Sequence, residues 1–480
     1  MSIEMAARSL DEDLLARELG NWRTSSATGP AYVGLADAIR LLIVDGRVPV
    51  GARLPSERAL ADALRVSRTT VTAAFTQLRE DGYLQARRGA RSTAALPPRP
   101  EIAAEPTTGA TVSLAAAALS APSAPVMEAF AAATRDITPY LSEPGHDLTG
   151  VCALRTAVAQ RYCDRGLPTD PGQIMITSGA QHAIGLILAA FTEPGDRVLV
   201  EQPTYHGALS AISTAGARAV PVPLTEDGWE LDAVHATLRQ LSPSLAYLVP
   251  DNHNPTGFTM SADERIRLGH IISETRTRTV IDESIMDMWI DQAPPAPLAT
   301  SVPRHDLVIT VGSMSKSFWG GLRVGWIRAE RSTLATIAAI RPSVDLGTPI
   351  LEQLTAARLI EGRDTVLAER RALLRSRRAY LLNLLERRLP DWRPGSGPNG
   401  MSLWVKLPAP MSTALSASAS RLGLDLPAGP RFGVDGTLER FVRVPYALPE
   451  PQLDEAVDLM ARAWAAITGA PEPESHAVVV

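Results

Sequence analysis

Residues 51–71 hold two helix starts and a tight turn at a spacing that few folds accommodate. Gly51-Ala52-Arg53-Leu54-Pro55-Ser56-Glu57-Arg58 opens a short helix with Ser56 as N-cap, because a serine hydroxyl there accepts a free N–H of the first turn. After a turn at Arg65 and Val66, Ser67 caps a longer helix that begins Arg68-Thr69-Thr70 and ends before Gly82. Upstream, Leu35, Ala38, Ile39, Leu42 and Ile43 recur at helical spacing. Downstream, Tyr83-Leu84-Gln85 and Ser92-Thr93-Ala94 read as two strands that turn at Arg87-Arg88-Gly89-Ala90. Three helices and a hairpin predict a winged helix-turn-helix, a unit that lays its third helix, the recognition helix, in the DNA major groove.

Charge supports that reading. Residues 31–95 hold ten arginines against six acids, a net +4, whereas the whole chain is −5. A basic patch on an acidic protein is the electrostatic footprint of a nucleic-acid site and argues against general stickiness. The division of the chain follows from composition. Residues 1–30 are an N-terminal extension in which Leu14, Leu15, Leu19 and Trp22 predict a helix packed on the DNA-binding unit of residues 31–95. Residues 96–112, rich in Pro and Ala, read as a semi-rigid linker. Residues 113–470 are long enough for a large core, and 471–480 form a tail.

In the large unit the informative residue is a lysine. Of 47 basic residues only Lys316 and Lys406 are lysines, and Lys316 sits in Val311-Gly312-Ser313-Met314-Ser315-Lys316-Ser317. A lysine of depressed pKa can attack an aldehyde, which an arginine cannot. Thr279-Val280-Ile281-Asp282-Glu283 reads as a buried strand ending in acids, the usual position of a site in an α/β sheet. Asn252-His253-Asn254-Pro255-Thr256-Gly257 is a turn cluster after the apolar run 245–250. Ile174-Met175-Ile176-Thr177-Ser178-Gly179-Ala180 is a strand running into a helix start whose free N–H groups suit a phosphate. Pro203-Thr204-Tyr205 follows another strand and offers an aromatic ring to a flat cofactor.

Taken in order, these motifs over residues 113–470 resemble a fold-type I pyridoxal 5′-phosphate (PLP) aminotransferase domain: a large mixed sheet flanked by helices, with a small C-terminal α+β subdomain. The resemblance implies that Lys316 forms the internal aldimine, Asp282 pairs with the pyridine nitrogen, Asn254 reaches the ring O3′ and Tyr205 stacks on the ring. It assigns the phosphate to Ser178, Gly179, Ala180, Ser313, Ser315 and Arg323, and the carboxylate of an amino substrate to Arg443. Two positions depart from the family. Ser284 and Ile285 stand where a tyrosine that donates to O3′ is common, and His146 stands near where a tyrosine would reach the neighbouring subunit's phosphate. Both point to a site that binds PLP and turns over poorly.

The segment Leu54 to Val71 resembles the signature of the GntR family of bacterial DNA-binding domains. That likeness implies that Arg58, Arg68 and Thr70 reach the major groove or its phosphates, that Ser67 and Thr69 set the helix start on the backbone, and that Arg88 and Gly89 approach the minor groove. The fusion resembles the MocR subfamily of GntR regulators. It implies a head-to-tail homodimer that binds double-stranded operator DNA and senses PLP, or an amino acid or amine condensed with it. The alternative is an active aminotransferase with an autoregulatory DNA-binding unit. No signal peptide, membrane-spanning run or metal-ligand pattern is visible, and Cys152 and Cys163 read as structural thiols of a reducing cytoplasm.

Overall fold

The computed structural model describes residues 10–20, 22, 30–44, 47–49, 51–85, 91–95 and 112–469. Helix α1 (Glu12–Leu19) is capped by the Asp11 carboxylate, which accepts from the N–H groups of Asp13 and Leu14. It buries Leu15 and Leu19, with Trp22 beyond its end, in one cluster with Leu35, Ile39, Leu42 and Ile43 of α2 (Ala31–Val44). Burying such a side chain contributes roughly 1.5–3 kcal/mol, so this row holds α1 and α2 on the helices that follow. Helix α3 (Glu57–Leu64) starts where Ser56 Oγ accepts from Ala59 N at 3.2 Å and ends on a left-handed Arg65. Helix α4 (Arg68–Glu80) starts where Ser67 Oγ accepts from Thr70 N at 3.1 Å. Strands β1 (Leu84–Gln85) and β2 (Thr93–Ala94) pair antiparallel, Leu84 opposite Ala94. The three-helix and hairpin reading therefore holds; Arg88 and Gly89 lie outside the described residues.

After β3 (Val112–Ser113) come α5 (Ser123–Asp136) and α6 (Cys152–Asp164). The chain then alternates β4 (Ile174–Thr177), α7 (Ala180–Phe191), β5 (Arg197–Gln202), α8 (His206–Thr214), β6 (Arg218–Thr225), β7 (Gly228–Trp229) and α9 (Leu231–Leu241). It continues through β8 (Leu245–Leu248), α10 (Ala262–Thr275), β9 (Thr279–Asp282), β10 (Val308–Ser313), β11 (Gly325–Arg328), α11 (Arg331–Ile340) and α12 (Ile350–Glu361). Eight strands form one sheet in the order β4-β11-β10-β9-β8-β5-β6-β7. β6, β5, β8, β9 and β10 run parallel, and β11 is antiparallel to both neighbours. Helices α5, α6, α9, α10 and α12 cover one face and α7, α8 and α11 the other. That is why β4, β8, β9 and β10 read as unbroken buried runs and not as alternating ones.

The remaining elements are α13 (Arg363–Arg388), β12 (Arg393–Pro394), β13 (Ser402–Lys406), α14 (Ser412–Arg421), β14 (Leu424–Asp425), β15 (Phe441–Pro445) and α15 (Glu450–Thr468). An antiparallel β12-β13-β15 sheet shares a separate core with α13, α14 and α15. β14 pairs in parallel with β3, Leu424 beside Val112, so the start of the large unit closes onto its C-terminal subdomain. Helix α14 also meets α2 through an Arg421–Asp37 ion pair at 2.8 Å. No described helix is long and apolar enough to cross a membrane. Cys152 and Cys163 are free, exposed thiols, the latter accepting from Thr169 N at 3.4 Å.

Candidate cofactor site and nucleic-acid interface

The carboxyl ends of β8, β9 and β10 converge on a cavity of about 340 Å³. Asp282, last residue of β9, is buried there with both oxygens engaged: Oδ2 accepts from Tyr247 Oη at 2.6 Å and Oδ1 from Ser284 N at 2.8 Å. One strand over, β10 runs out at Ser313, whose Oγ accepts from Ser315 N at 3.1 Å and donates to Ser315 Oγ at 3.0 Å. A single π-type turn, Ser315–Trp319, then carries Lys316 into the cavity. The Lys316 amine is held down to about 8, first by burial and then by the positive charge of Arg443, with Asp282 opposing. Lys406, the second lysine, is on the surface in an ion pair with Glu226. The two lysine amines are thus in opposite environments, and of the two only that of Lys316 is suited to nucleophilic work.

On the far side, α7 begins at Ala180 without a side-chain cap. Gly179, at φ +93°, allows the Arg323 guanidinium to approach; a Cβ there would fall 2.9 Å from Arg323 Nη2, which donates to Ser178 O at 3.0 Å. Ala180, Ser313, Ser315 and Arg323 line the cavity, with Ser178 and Gly179 tied to it through Arg323. The Ser178 N–H donates to His182 Nδ1 at 3.0 Å. Tyr205 caps α8 and lines the wall, its phenol raised by burial. Asn254 and Ser284 also line it, and Asn254 Oδ1 and Ser284 Oγ are buried without hydrogen-bond partners.

Arg443 comes from the middle of β15, opposite Trp404. It is 2% exposed, with its guanidinium 5.0 Å above the Phe432 ring, and burial followed by Arg431 brings it down to about 10. Nη2 donates to Leu114 O at 3.2 Å and to Ala115 O, while Nε is buried without a partner. Lys316 Nζ donates to Ala117 O at 2.7 Å. Every residue expected for the cofactor ring, the lysine and the carboxylate is thus gathered at one cavity. Ile285 lines it too, whereas His146 is exposed and does not.

Sequence reasoning missed three participants. Tyr247, inside an all-buried strand, supports Asp282; its polar tip in an apolar run was the available signal. His206 lines the cavity with an orphan Nδ1 and is pushed down to about 3 by burial, then by Arg431, Arg443 and Lys316, so it stays neutral. The alanine-rich stretch 115–118 forms part of the wall and carries no pattern that marks it.

In the DNA-binding unit, Ser67 Oγ is 2.7 Å from both Thr69 Oγ1 and Thr70 Oγ1, which fixes the first turn of α4. Glu57 joins α3 to α4 by accepting from Thr72 Oγ1 at 2.7 Å and Arg79 Nη2 at 2.9 Å. Arg58, Ser67, Arg68 and Thr69 are exposed, and no ion pair among the described residues engages Arg58 or Arg68. Among the described residues no cluster could hold a metal ion.

The fold and the site define an aminotransferase-type domain carried behind a helix-turn-helix. Residues 112–459 match the aminotransferase class I and II family and residues 31–93 the bacterial regulatory proteins of the gntR family. The chain belongs to the aminotransferase class I and II family, and its fusion to a GntR-type domain places it in the MocR subfamily of GntR regulators. It is 27% identical to the uncharacterized HTH-type transcriptional regulator YisV of Bacillus subtilis (strain 168), over 81% of this chain and 86% of that one. It is 26% identical to the probable rhizopine catabolism regulatory protein MocR of Rhizobium meliloti, over 76% and 78%. Among solved structures it resembles LysN, the α-aminoadipate aminotransferase of Thermus thermophilus, with a TM-score of 0.70, 28% identity and coverage of 76% and 94%. The cofactor of this class of domain is PLP, and the residues present fit it: a buried amine of low pKa, a strand-end carboxylate, an uncapped helix start beside an arginine, and orphaned polar atoms of Asn254 and Ser284.

Proposed function

We propose that this chain is a transcription regulator whose operator affinity is set by the occupancy of its aminotransferase-type cavity. The observation that carries the reading is the pairing, in one chain, of a capped and exposed α4 start with a cavity holding Lys316 at a pKa of about 8. Lys316 would hold PLP covalently, Asp282 would hold the ring-nitrogen proton, Asn254 would meet O3′ and Tyr205 would face the ring. Ser178, Gly179, Ala180, Ser313, Ser315 and Arg323 would hold the phosphate. When bound, PLP supplies an aldehyde for the amine and a ring that withdraws electrons. Arg443, with Nε free, would take the carboxylate of an amino compound, and the buried Phe432 below it keeps water from that charge.

On the DNA side, Arg58, Arg68 and Thr70 would meet the major groove and its phosphates, with Ser67 and Thr69 on the backbone and Arg88 and Gly89 in the wing. A ligand alters operator affinity only through unequal affinity for two arrangements of the protein; a coupling of ~1–3 kcal/mol gives a change of about 5- to 150-fold. The working form in this reading is a cytoplasmic head-to-tail homodimer that presents two α4 helices to paired half-sites. Binding of the duplex upstream of the chain's own gene, against a scrambled duplex, tests the regulator reading, and an absorption band from the PLP–protein bond tests the cofactor assignment. A competing reading, an active aminotransferase with an autoregulatory DNA-binding unit, is favoured by the low pKa of Lys316. Ile285 and Ser284 in the place of a tyrosine weigh against it. Steady turnover of amino acid and keto acid pairs would decide for the enzyme.

A further inference from the structure

Lys316 and Arg443 come from opposite parts of the large unit, yet both donate to the same short piece of backbone. Lys316 Nζ holds Ala117 O at 2.7 Å, and Arg443 Nη2 holds Leu114 O at 3.2 Å and also Ala115 O. Residues 115–118 form one wall of the cavity. The piece begins at β3, tied to β14 by the pairs Val112–Leu424 and Ser113–Asp425 and by Ser113 Oγ donating to an Asp425 carboxylate oxygen at 2.8 Å. Asp425 lines a cleft together with Asp37 and Arg40 of α2 and Arg421 of α14, where Arg421 pairs with Asp37. Residue 112 is also where the large unit takes over from the segment leading out of the DNA-binding unit. Hydrogen bonds therefore run from the two cavity cations to the piece that begins at β3 and from β3 to β14, and the short stretch of chain between Asp425 and Arg421 leads on to the Arg421–Asp37 pair on α2, which packs with α4 in one core.

A ligand that takes the Nε–Nη2 fork of Arg443, or that bonds to Lys316 Nζ, competes with the strap for the donors that hold it. A carboxylate forms shorter, charge-assisted and bidentate bonds to a guanidinium, so it outcompetes a neutral carbonyl for Nη2, and the unpartnered Nε is the second donor such a fork needs. We propose that residues 112–118 are a strap latched by Arg443 and Lys316, and that a carboxylate arriving at Arg443 releases the latch and moves the DNA-binding unit through β3 and Asp425. The inference rests on the reading that the cavity accepts PLP-linked amino compounds, and it adds the element that reports the carboxylate. An amine without a carboxylate would fill the ring site and leave Leu114 and Ala115 held.

The test uses the full chain and two probes that occupy the ring site without bonding to Lys316: pyridoxamine 5′-phosphate, which has no carboxylate, and N-(5′-phosphopyridoxyl)-L-alanine, which has one. Binding of each is measured from the probe's absorbance, amide hydrogen exchange over residues 112–119 reports the strap, and affinity for the upstream duplex reports the output. The expected result is at least tenfold faster exchange in the strap, with a change in duplex affinity, for the phosphopyridoxyl-alanine probe only. Ser113→Ala, which removes the Asp425 bond outside the cavity, is expected to shift ligand-free duplex affinity at least twofold toward the value seen with that probe. Binding of the alanine probe with altered duplex affinity but unchanged strap exchange would overturn the strap and leave the regulator reading standing. Failure of both probes to bind would overturn the two together.

Discussion

The Tyr247 hydroxyl donates to Asp282 Oδ2 across 2.6 Å, and both side chains are at least nine-tenths buried. A buried carboxylate is tolerated only where hydrogen bonds replace its water, and here one comes from the next strand and one from Ser284 N. Tyr247→Phe is expected to cost about 1–3 kcal/mol of stability. A double-mutant cycle with Asp282→Asn, read by urea unfolding, should show coupling near or above ~1 kcal/mol; additive effects would mean that the two residues act independently.

Reaction of Lys316 with PLP should titrate low. Because burial and Arg443 lower its pKa from 10.5 to about 8, the neutral amine predominates above about pH 8. Stopped-flow absorbance should give a rate rising with pH to a midpoint near 8, and Arg443→Ala, by removing a positive neighbour, should move it upward. The same sign makes the ligand-free protein gain stability as pH rises from about 8 toward 10.5, since over that window the unfolded chain binds a proton that the folded chain does not.

Gly179→Ala places a methyl 2.9 Å from Arg323 Nη2 at a backbone φ of +93°. The strain is of the order of 1–3 kcal/mol, and relief by displacement of Arg323 should weaken PLP binding more than it weakens duplex binding. Equilibrium dialysis with PLP checks this; equal losses in both would point to general unfolding.

Arg68→Ala should weaken binding to specific and scrambled duplexes alike and lower the slope of log affinity against log salt by about 1, if Arg68 neutralises one phosphate. Loss confined to the specific duplex would instead assign Arg68 to a base edge. Ser67→Ala removes the cap of α4 and should cost about 1 kcal/mol of stability.

What the sequence made legible was local. Ser56 and Ser67 cap as their spacing predicts, and Asp282, Ser313 and Lys316 fall at strand ends that read as apolar runs. The rest depends on pairing between distant segments. β3 is two residues long and pairs with β14 more than three hundred positions away, so no periodicity announces it. The latch on Ala115 and Ala117 uses backbone carbonyls, which every residue possesses. His206 is set apart only by the cations around it in space.

The most direct measurement is the dissociation constant for the upstream duplex with and without PLP, in the wild-type chain and in Lys316→Ala. The account predicts a PLP-dependent change of about 5- to 150-fold in the wild type and none in the variant, each chain being compared with its own affinity without PLP. Equal responses to PLP in both chains, or no response in the wild type, would contradict it.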